Sequence, residues 1–354
     1  MIVLGIESSA NKVAIGIAQR HENNFKELAN VRATYTTPPG FGFLPKETAE
    51  HHRKCINKLV KKALLNSGLL PNDLDFIAYT KGPGMAPCLL VGALVARTLS
   101  LLWNKPLIPV NHCVAHIEMG RIVCGSNNPV ILYASGGNSQ IIGYSRNRYR
   151  IYGETIDIAV GNALDRFARF VKLPNNPAGG WWIEKLASHG KKYVELPYVI
   201  KGMDVSFSGL LTFIESYAEK HSISYRGPIN PEDLHGNWFT EDMQPVADLC
   251  YSLQETAFAM MIETTERVMA LTQATEILCV GGVGCNLRLQ EMLNLMAQDR
   301  NAVLNAMDDR YCIDNGLMIA WTAILHAEQQ EYGIWEDCTV TQRFRTDQVP
   351  INWR

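Results

Sequence analysis

Two histidines four residues apart are the clearest candidates for chemistry in this sequence. His112 and His116 stand within "VNHCVAHIEMGR", and a spacing of four on a helix places both imidazoles on one face, where they can share a metal ion. A zinc-protease helix of the H-E-x-x-H type carries a Glu beside its first His as general base. Here Cys113 stands in that position. The pattern therefore predicts a metal site whose helix has no base of its own to activate water.

A third metal ligand has to come from elsewhere in the chain. Asp314 is one candidate, and His51 or His52 on an earlier helix is another. Asp314 precedes "NGLMIAW", so on sequence alone the pattern favours it as the N-cap of the helix that follows. A carboxylate has enough oxygens to cap a helix and bind a metal. The alternative for the histidine pair is one imidazole packed in the core and one at the surface.

Three short loops have the composition of phosphate-binding turns. They are "ESSANK", "YASGGNS" and "GGVGCN", and each follows an apolar run with small residues that leave backbone N–H groups accessible. Any one of them could be an ordinary tight turn, but three in one chain favour a nucleotide cleft. The sequence contains neither G-x-x-x-x-G-K-[ST] nor G-x-G-x-x-G, which disfavours P-loop and Rossmann folds.

The elements around these residues follow a pattern that occurs twice. "IVLGIESSANKVAIGIA" and "PVILYASGGNSQIIGYS" are each typical of a strand, a polar turn and a second strand. Helices are predicted from Pro45 to about Ser67 and over residues 86–103, and "IDNGLMIAWTAILHAEQQ" predicts the last helix. "PLIPV" predicts a strand that leads into the histidine helix. The repetition indicates a duplicated α/β fold with a cleft between its halves.

The domain organisation follows from the same repetition. "CGSNNP" at 124–129 is the best boundary candidate, so we expect an N-terminal lobe over 1–125 and a C-terminal lobe over 126–335. Residues 221–246 lack periodicity and are predicted to be a surface insertion, and 336–354 form a polar tail.

Composition limits the class of protein. Of the 354 residues 47% are hydrophobic and 19% are charged, which is typical of a globular chain. The net charge of −2 means that a nucleic-acid partner would need local charge or help from other subunits. Nine scattered cysteines without a C-x-x-C pair favour a reducing compartment. Because no targeting signal is visible and Arg97 interrupts the most apolar stretch, we expect a soluble protein without a membrane partner, in the cytoplasm and also in the nucleus.

Stretches along almost the whole chain match one known family. They include "SANK" (9–12), "FLPKETAEHHR" (43–53), "NHCVAHIEMGR" (111–121), "SGGNSQIIGYS" (135–145), "CVGGVGCNLRLQEM" (279–292), "RYCIDNGLMIA" (310–320) and "TVTQRFRTD" (339–347). In this order the chain resembles the cytosolic and archaeal branch of the universal tRNA threonylcarbamoyladenosine synthases, the catalytic subunits of the KEOPS (EKC) complex. That family was once called O-sialoglycoprotein endopeptidase.

The resemblance implies a fold and a site. The fold would be α/β, a duplicated actin/Hsp70-like (ASKHA, RNase H-like) arrangement of two lobes around a nucleotide cleft. One divalent metal, Fe or Zn, would be held by His112, His116 and Asp314, with Tyr133 as a further ligand candidate. The residues implied to contact the adenylate substrate are Tyr133, Ala134, Ser135, Gly136, Gly137, Asp165, Gly180, Glu184 and Asn286. Trp181 and Trp182, which lie between Gly180 and Glu184 in the sequence, depart from the family pattern.

The resemblance also implies an activity and partners. The threonylcarbamoyl group of threonylcarbamoyl-AMP would pass to N6 of the adenosine 3′ of the anticodon, in tRNAs that read codons beginning with A. An amine that attacks an activated mixed anhydride needs no base to make hydroxide, which accounts for Cys113 at the Glu position. The backbone N–H groups of the "SGGN" loop would stabilise charge in the transition state. Partners would be a kinase subunit, its regulatory partner and a small dimerising subunit.

Three other functions share parts of this pattern. A metalloprotease is disfavoured by Cys113 and by loops that a protease does not need. A non-catalytic, nucleotide-binding scaffold would not have to keep two histidines and Asp314. A sugar-kinase-like ATPase would leave the histidine pair without a task. Fold alone does not separate these functions, whereas the site residues do.

Overall fold

The computed structural model describes residues 1–22, 24–228, 231–234 and 238–354. The first half of the chain contains five strands and three helices. In chain order they are β1 (Ile2–Glu7), β2 (Lys12–His21), β3 (Asn24–Thr34), α1 (Pro45–Ser67), β4 (Phe76–Gly82), α2 (Ala86–Trp103), β5 (Leu107–Asn111) and α3 (His112–Cys124). Helix α1 has Pro45 in its first turn and ends at Gly68 in the left-handed region (φ 68°), as the sequence predicts.

The second half repeats this start and adds helices. In chain order its elements are β6 (Val130–Ala134), β7 (Ser139–Tyr144), β8 (Tyr149–Glu154), α4 (Val160–Phe170), α5 (Gly179–Ala187), β9 (Ile200–Lys201), β10 (Asp204–Val205), α6 (Ser208–Lys220), α7 (Gln244–Thr272), β11 (Glu276–Val280), α8 (Leu287–Asp299), β12 (Val303–Ala306), α9 (Asp309–Cys312) and α10 (Gly316–Glu328). The short strands β9 and β10 form a two-stranded sheet of their own.

Two five-stranded sheets share one topology. The first sheet has the order β3-β2-β1-β4-β5 and the second has β8-β7-β6-β11-β12. In each sheet the first three strands in sequence are antiparallel and the last two run parallel to the first. The duplicated two-lobed α/β architecture expected from the sequence repeat is therefore confirmed.

The helices form three layers around the two sheets. Helices α1 and α2 cover the outer face of the first sheet, and helices α4 to α8 cover the outer face of the second. The middle layer consists of α3 and α10, which pack against each other and against the inner faces of both sheets. Because α3 carries the histidine pair and α10 follows Asp314, both candidate metal-binding elements belong to this middle layer.

Three glycines let α10 lie directly on the first sheet. Gly5 and Gly16 are opposite each other in the β1–β2 pair, and Gly316 begins the helix. A Cβ at Gly16 would overlap the backbone of Gly316 and Leu317, and a Cβ at Gly316 would overlap the backbone of Gly16 and Ile15. Backbone therefore contacts backbone, and the residues just before the helix are held against the ends of β1 and β2.

Asn315, not Asp314, is the N-cap of α10. The Asn315 Oδ1 accepts a hydrogen bond from the Met318 N–H at 3.0 Å, while its amide donates to the carbonyls of Tyr311 and Ile313. The expectation that Asp314 caps this helix was wrong. A carboxylate cannot donate, so only an amide side chain can satisfy all three backbone groups. This leaves the Asp314 carboxylate free to point elsewhere.

Helix α2 is the one described helix long and apolar enough, by length and composition, to cross a membrane. Of its residues 39% are buried. Arg97, which interrupts the apolar sequence, donates to the carbonyls of Trp335 and Cys338 at 2.9 and 2.8 Å and stacks on the Trp335 ring. The arginine is thus accounted for by contacts with the C-terminal tail.

That tail, residues 336–354, contacts both halves of the chain. The Asn111 side chain, which caps α3, donates to the carbonyls of Phe344 and Arg345. Arg345 forms an ion pair with Glu154 at 3.2 Å, and the Ile351 N–H donates to the Asn147 carbonyl. The polar composition of the tail suggested no helix, and its described structure has a single 3₁₀ turn each at Trp335–Asp337 and Thr346–Gln348.

The segment predicted as a surface insertion, 221–246, is described only in part, because residues 229–230 and 235–237 lie outside the described chain. Among its described residues, Tyr225 and Met243 are buried in the core of the second half, and the Phe239 ring stacks on His189 at 4.3 Å. The last residues from Gln244 already belong to α7. The division into lobes at 125/126 stays a prediction.

The glycine contact between α10 and the first sheet generates a stability prediction. We expect Gly16→Ala to lower the free energy of unfolding by about 3 kcal/mol, because the new methyl group meets backbone that cannot rotate away. Gly209→Ala is the matched control: no atom lies within 4 Å of its added Cβ, and it sits in the first turn of α6. Denaturant unfolding of both variants checks this. Equal stability of the two variants would contradict the contact.

Candidate metal centre and nucleotide site

The candidate site lies where the parallel strands of both sheets end. Glu7 ends β1, and His112 follows β5 in the first sheet. In the second sheet, Ala134 ends β6 and Gly281 follows β11. Parallel strands present their carboxyl ends at one edge, where α/β proteins commonly bind ligands. The residues that the sequence singled out therefore meet although they are far apart in the chain.

His112, His116 and Asp314 form the only group of three metal-ligating side chains found within the described residues, with ligand atoms within 4.8 Å of one another. The Asp314 Oδ1 lies 3.7 Å from the His112 Nε2 and 3.2 Å from the His116 Nε2. Ligand atoms about 2.1 Å from one metal are about 3.0–3.5 Å apart, so the separation at His116 suits a single cation and the one at His112 is slightly longer. Two imidazoles and a carboxylate are an ordinary set of ligands for it. This group can hold a metal ion.

One buried polar atom beside the group, the Tyr133 hydroxyl, also suits a bound cation. The Tyr133 hydroxyl and the His116 Nδ1 are buried without a hydrogen-bond partner among the described residues. The Tyr133 ring lies 5.5 Å from the His116 ring. Burial raises the pKa of the Tyr133 hydroxyl well above its usual value, so the free tyrosine is neutral. Tyr133 is thus placed near the group, and its role as a ligand stays a prediction.

Glu7 orients His112 from behind. The Glu7 Oε2 lies 3.0 Å from the His112 Nδ1 and accepts a hydrogen bond from the Thr80 hydroxyl at 2.5 Å, while Oε1 accepts from the Ser9 N–H. This contact leaves the His112 Nε2 for the metal, the usual arrangement for a metal-binding imidazole. Burial alone would raise the pKa of the Glu7 carboxyl, but His112 lowers it below its usual value.

The charges around Asp314 keep its carboxylate ionised. Burial opposes the charge, but Lys12, whose Nζ lies 3.7 Å from the Asp314 Oδ2, and the two histidines hold the pKa of Asp314 well below its usual range. Burial lowers the pKa of His116, which favours the neutral imidazole that a metal requires. The pKa of His112 is raised by Glu7 against the effect of burial.

Neither of the other two histidines considered as third ligands joins this group. The His52 Nε2 lies 2.9 Å from the Ala10 carbonyl, and the His51 Nδ1 lies 3.2 Å from the His52 Nδ1. Burial lowers the pKa of His52 to about 4, so a neutral ring holds the loop after β1. Cys113 is buried and its pKa is raised to about 12, which excludes it as a base near neutral pH.

The loops that the sequence indicated as phosphate sites line the same edge. A Cβ at Gly281 would overlap the Ala134 carbonyl, so the 281–286 loop rests on the end of β6. In the 135–138 loop, the N–H groups of Gly137 and Asn138 donate to the Ser135 Oγ, at 3.3 and 2.9 Å. The Ser135 N–H donates to the Asn138 carbonyl. Of the four "SGGN" N–H groups expected to stabilise charge, only that of Gly136 has no acceptor among the described residues.

Hydrogen bonds connect the elements that carry the remaining predicted contacts. One Asp165 oxygen accepts a hydrogen bond from the Gly180 N–H at 3.1 Å, and burial raises the pKa of Asp165. One Glu184 oxygen accepts from the Leu287 N–H at 2.7 Å. Asn286 caps α8 through Leu289, so protein acceptors already occupy the start of that helix. The second oxygens of Asp165 and Glu184 are left for a ligand.

Of the two tryptophans that depart from the family pattern, one is structural. Trp182 is fully buried in the core and its indole N–H donates to the Asn176 carbonyl at 2.8 Å. Trp181 is partly buried, with its ring 5.2 Å from that of Trp182 and the Lys185 ammonium above it. Trp182 therefore supports α5 from within, and Gly180 and Glu184 keep their places on that helix.

Comparison with known proteins identifies the family. A family model described as "TsaD: tRNA N6-adenosine threonylcarbamoyltransferase" matches residues 25–321. A Drosophila melanogaster protein named "Probable tRNA N6-adenosine threonylcarbamoyltransferase" is 58% identical over 354 residues, covering 99% of this chain and 98% of its own length. This chain belongs to the TsaD family.

More distant members of the TsaD family agree over the whole chain. The Homo sapiens tRNA N6-adenosine threonylcarbamoyltransferase is 54% identical, covering 99% of both chains, and that of Encephalitozoon cuniculi is 54% identical, covering 100% of this chain and 99% of its own. Together these relatives show that the chain is a transferase of the tRNA N6-adenosine threonylcarbamoyltransferase type. The resemblance described from the sequence is confirmed.

Solved structures of low sequence identity share the fold. HypF of T. kodakarensis is 14% identical with a TM-score of 0.59, covering 96% of this chain and 49% of that one. Component A of the Acidaminococcus fermentans (R)-2-hydroxyglutaryl-CoA dehydratase is 12% identical with a TM-score of 0.54, covering 91% and 97%. At this identity they bear on the fold alone, and they confirm that this TsaD-family chain has the expected actin/Hsp70-like (ASKHA) fold.

Sequence reasoning missed two residues of this TsaD-family site. Glu7 was treated only as part of a turn, although a carboxylate at the end of a fully apolar strand is a signal for a buried functional charge. Lys12 opens β2 after the same turn, and its contact with Asp314 depends on the packing of α10. Only the strand order brings Glu7, at the end of β1, beside His112, which follows β5.

The contact between Glu7 and His112 predicts an effect on metal affinity. We expect Glu7→Gln to weaken binding of added Zn²⁺ about 10- to 100-fold, because the imidazole loses the carboxylate that orients it and raises its basicity. Isothermal titration of the purified chain measures this. Glu50→Gln, an exposed carboxylate on α1, is the control and should bind as the unmodified chain does. Unchanged affinity in Glu7→Gln would contradict the orienting role.

Proposed function

We propose that this chain transfers the threonylcarbamoyl group of threonylcarbamoyl-AMP to N6 of the adenosine 3′ of the anticodon, in tRNAs that read codons beginning with A. One observation carries the proposal. The His112, His116 and Asp314 group lies beside Tyr133 of β6, the strand that leads into the 135–138 loop and on whose end the 281–286 loop rests. A metal group next to loops with small residues suits an activated adenylate whose acyl group is transferred.

In this reaction the amine nitrogen of the adenosine attacks the carbonyl carbon of the mixed anhydride. A C–N bond forms, the C–O bond to the phosphate breaks, AMP leaves, and the attacking amine gives up one proton to the solvent. A metal held by His112, His116 and Asp314 would supply positive charge to the phosphate or carbonyl oxygens. We propose Fe or Zn as this metal, since imidazole and carboxylate ligands suit both. The activated bond makes a water-activating base unnecessary.

The residues of the chain position the adenylate. The Gly136 N–H is the donor available to oxygen as charge develops, and a Cβ at Gly136 or Gly137 would meet no atom within 4 Å, so the loop is open to a ligand. The second oxygens of Asp165 and Glu184 can hold ribose hydroxyls. Tyr133, Ala134, Ser135, Gly180 and Asn286 complete the proposed contacts.

The structure gives reasons to prefer transfer over the alternatives. In a metalloprotease a carboxylate must activate water, but both oxygens of Glu7 already accept hydrogen bonds and its contact with His112 marks it as an orienting group. A non-catalytic scaffold would not need Glu7 and Lys12 to support an intact group of three metal ligands. A sugar-kinase-like ATPase has no use for the histidines.

The transfer activity is tested with labelled threonylcarbamoyl-AMP, tRNA and the complete set of partner subunits. We expect label on tRNA with the unmodified chain, and a loss of more than about a hundredfold with His112→Ala or Asp314→Ala, since each removes one of the three metal ligands. His221→Ala and Asp299→Ala, exposed residues of the second half, are matched controls.

The result separates the proposed functions. Circular dichroism must show that both metal-ligand variants are folded, so that their loss of transfer activity reports on the metal group. Absence of label from a folded, metal-loaded, unmodified chain in the complete complex would overturn transfer and support the scaffold. Label that persists in His112→Ala would overturn the metal group.

We propose further that the chain works as the catalytic subunit of the KEOPS complex, in the cytoplasm and nucleus, with a kinase subunit, its regulatory partner and a small dimerising subunit. A ridge of exposed leucines on α2 supports a protein partner. Leu90, Leu94 and Leu101 are 56, 67 and 70% exposed and share one face of the helix. The near-neutral net charge of −2 supports shared binding of tRNA.

The leucine ridge generates a prediction about assembly of the chain with its partner subunits. We expect Leu94→Glu combined with Leu101→Glu to lower incorporation of the chain into the complex at least about tenfold, because a buried interface would enclose two unpaired charges. Folding stability should change by less than about 1 kcal/mol, as both side chains are exposed. Size-exclusion chromatography with the partner subunits measures assembly. Leu271→Glu, exposed at the end of α7, is the control, and normal assembly of the double variant would contradict this surface.

A further inference from the structure

Three cysteines lie together under the 281–286 loop. Cys279 is in β11, Cys285 is in the loop and Cys312 is in α9. Gly284 lies against two of them: a Cβ added there would be 3.1 Å from the Cys279 Sγ and 3.4 Å from the Cys312 Sγ. No group of three side chains other than the His112 group brings ligand atoms close enough for a metal among the described residues. The cysteine cluster is therefore not a metal site, and its thiols are considered for redox chemistry instead.

Cys285 and Cys312 are the reactive pair of this cluster. Cys285 packs against the buried core that contains Cys312, and the Cys312 thiol donates a hydrogen bond to the Gly281 carbonyl at 3.0 Å. Cys285 is half-buried, whereas Cys279 and Cys312 are buried, so a small oxidant in solvent reaches Cys285 first. The neighbouring Cys312 thiol lowers the pKa of Cys285, while burial raises the pKa of Cys279 to about 12. Only Cys285 combines access with thiolate character.

The pair joins the two walls of the site. Cys285 immediately precedes Asn286, which caps α8 and donates to the Gln254 side chain at 2.9 Å. Cys312 stands two residues before Asp314 in the turn that leads into α10. A covalent link between these thiols would tie the nucleotide loop to the turn that carries a metal ligand.

We propose that Cys285 is an oxidation site for hydroperoxides and that its oxidation ends in a Cys285–Cys312 disulfide. The Cys285 thiolate attacks one oxygen of hydrogen peroxide, the O–O bond breaks, and a sulfenic acid and hydroxide form. The Cys312 thiol then attacks the sulfenic sulfur, the S–O bond breaks, and the S–S bond forms as water leaves. Two thiols lose two electrons and two protons, and one peroxide is reduced to two waters. A dithiol reverses the link by exchange.

The consequence for catalysis rests on the proposed function. Pulling two sulfurs to bonding distance, about 2.05 Å, shifts the 281–286 loop or the turn before Asp314 relative to the other. A misplacement of about 1 Å at a reacting centre can cost on the order of a hundredfold in rate. We therefore expect the oxidised chain to transfer threonylcarbamoyl at least about tenfold more slowly, and a dithiol to restore the rate.

The experiment treats the complete complex with hydrogen peroxide and follows two readouts. Peptide mass spectrometry without reduction detects a Cys285–Cys312 cross-linked peptide, and the labelled transfer assay follows activity before and after dithiothreitol. Each of Cys285→Ser, Cys312→Ser and the control Cys55→Ser is compared with its own untreated sample. We expect the cross-link and a reversible loss in the unmodified chain and in Cys55→Ser. Cys285→Ser should show neither.

The two readouts keep the inference separate from the proposed function. Cross-linking requires no activity, so a chain that forms the disulfide but never labels tRNA would overturn the proposed function and leave the oxidation site standing. A cross-link that leaves the transfer rate unchanged would overturn the control of catalysis. Cys285 that stays reduced while Cys55 is oxidised, or that is oxidised without linking to Cys312, would overturn the disulfide. So would an equal loss of activity in Cys285→Ser.

Discussion

The close contact between α10 and the first sheet is the constraint on which the site depends. Gly5, Gly16 and Gly316 bring helix backbone against strand backbone, with no side chain between them. Asp314 stands two residues before that contact, so its carboxylate is placed opposite α3 by packing that cannot shift without a clash. A metal group built from residues about 200 positions apart in sequence thereby acquires a defined geometry.

The charged groups around the site set the ionisation of Asp314 and the orientation of His112. A buried carboxylate would ordinarily take up a proton, but Lys12 and the two histidines keep Asp314 ionised. Glu7 orients His112 through a hydrogen bond to the Nδ1 of its ring. The arrangement thus presents one negative charge and two imidazole nitrogens to the cleft, which is the environment that a divalent cation requires. Asn111 caps α3, the helix that carries His112, and its amide donates a hydrogen bond to a carbonyl of the C-terminal tail. This fixes the start of α3.

Local signals made much of the fold and part of the site predictable. The repeated strand–turn–strand units, Pro45 and Gly68 at the ends of α1, and the spacing of His112 and His116 are visible within short windows of sequence. The cap of α10 was predicted wrongly because Asp and Asn are both good N-caps, and only the carbonyls of Tyr311 and Ile313 select the amide. Glu7 and Lys12 could not be assigned because their roles come from strand order and from the placement of α10. The substrate contacts of Asp165, Gly180, Glu184 and Asn286 stay predictions, although hydrogen bonds between their elements place them on one wall.

X-ray absorption spectroscopy of the metal-loaded chain tests the central claim most directly, because it reports which atoms surround the metal. We predict nitrogen and oxygen ligands at about 2.0–2.2 Å, with the outer-shell scattering of two imidazoles and none from sulfur. In His116→Ala the imidazole scattering should fall to that of one ring. A spectrum with sulfur ligands, or one that His116→Ala leaves unchanged, would place the metal elsewhere and contradict the account.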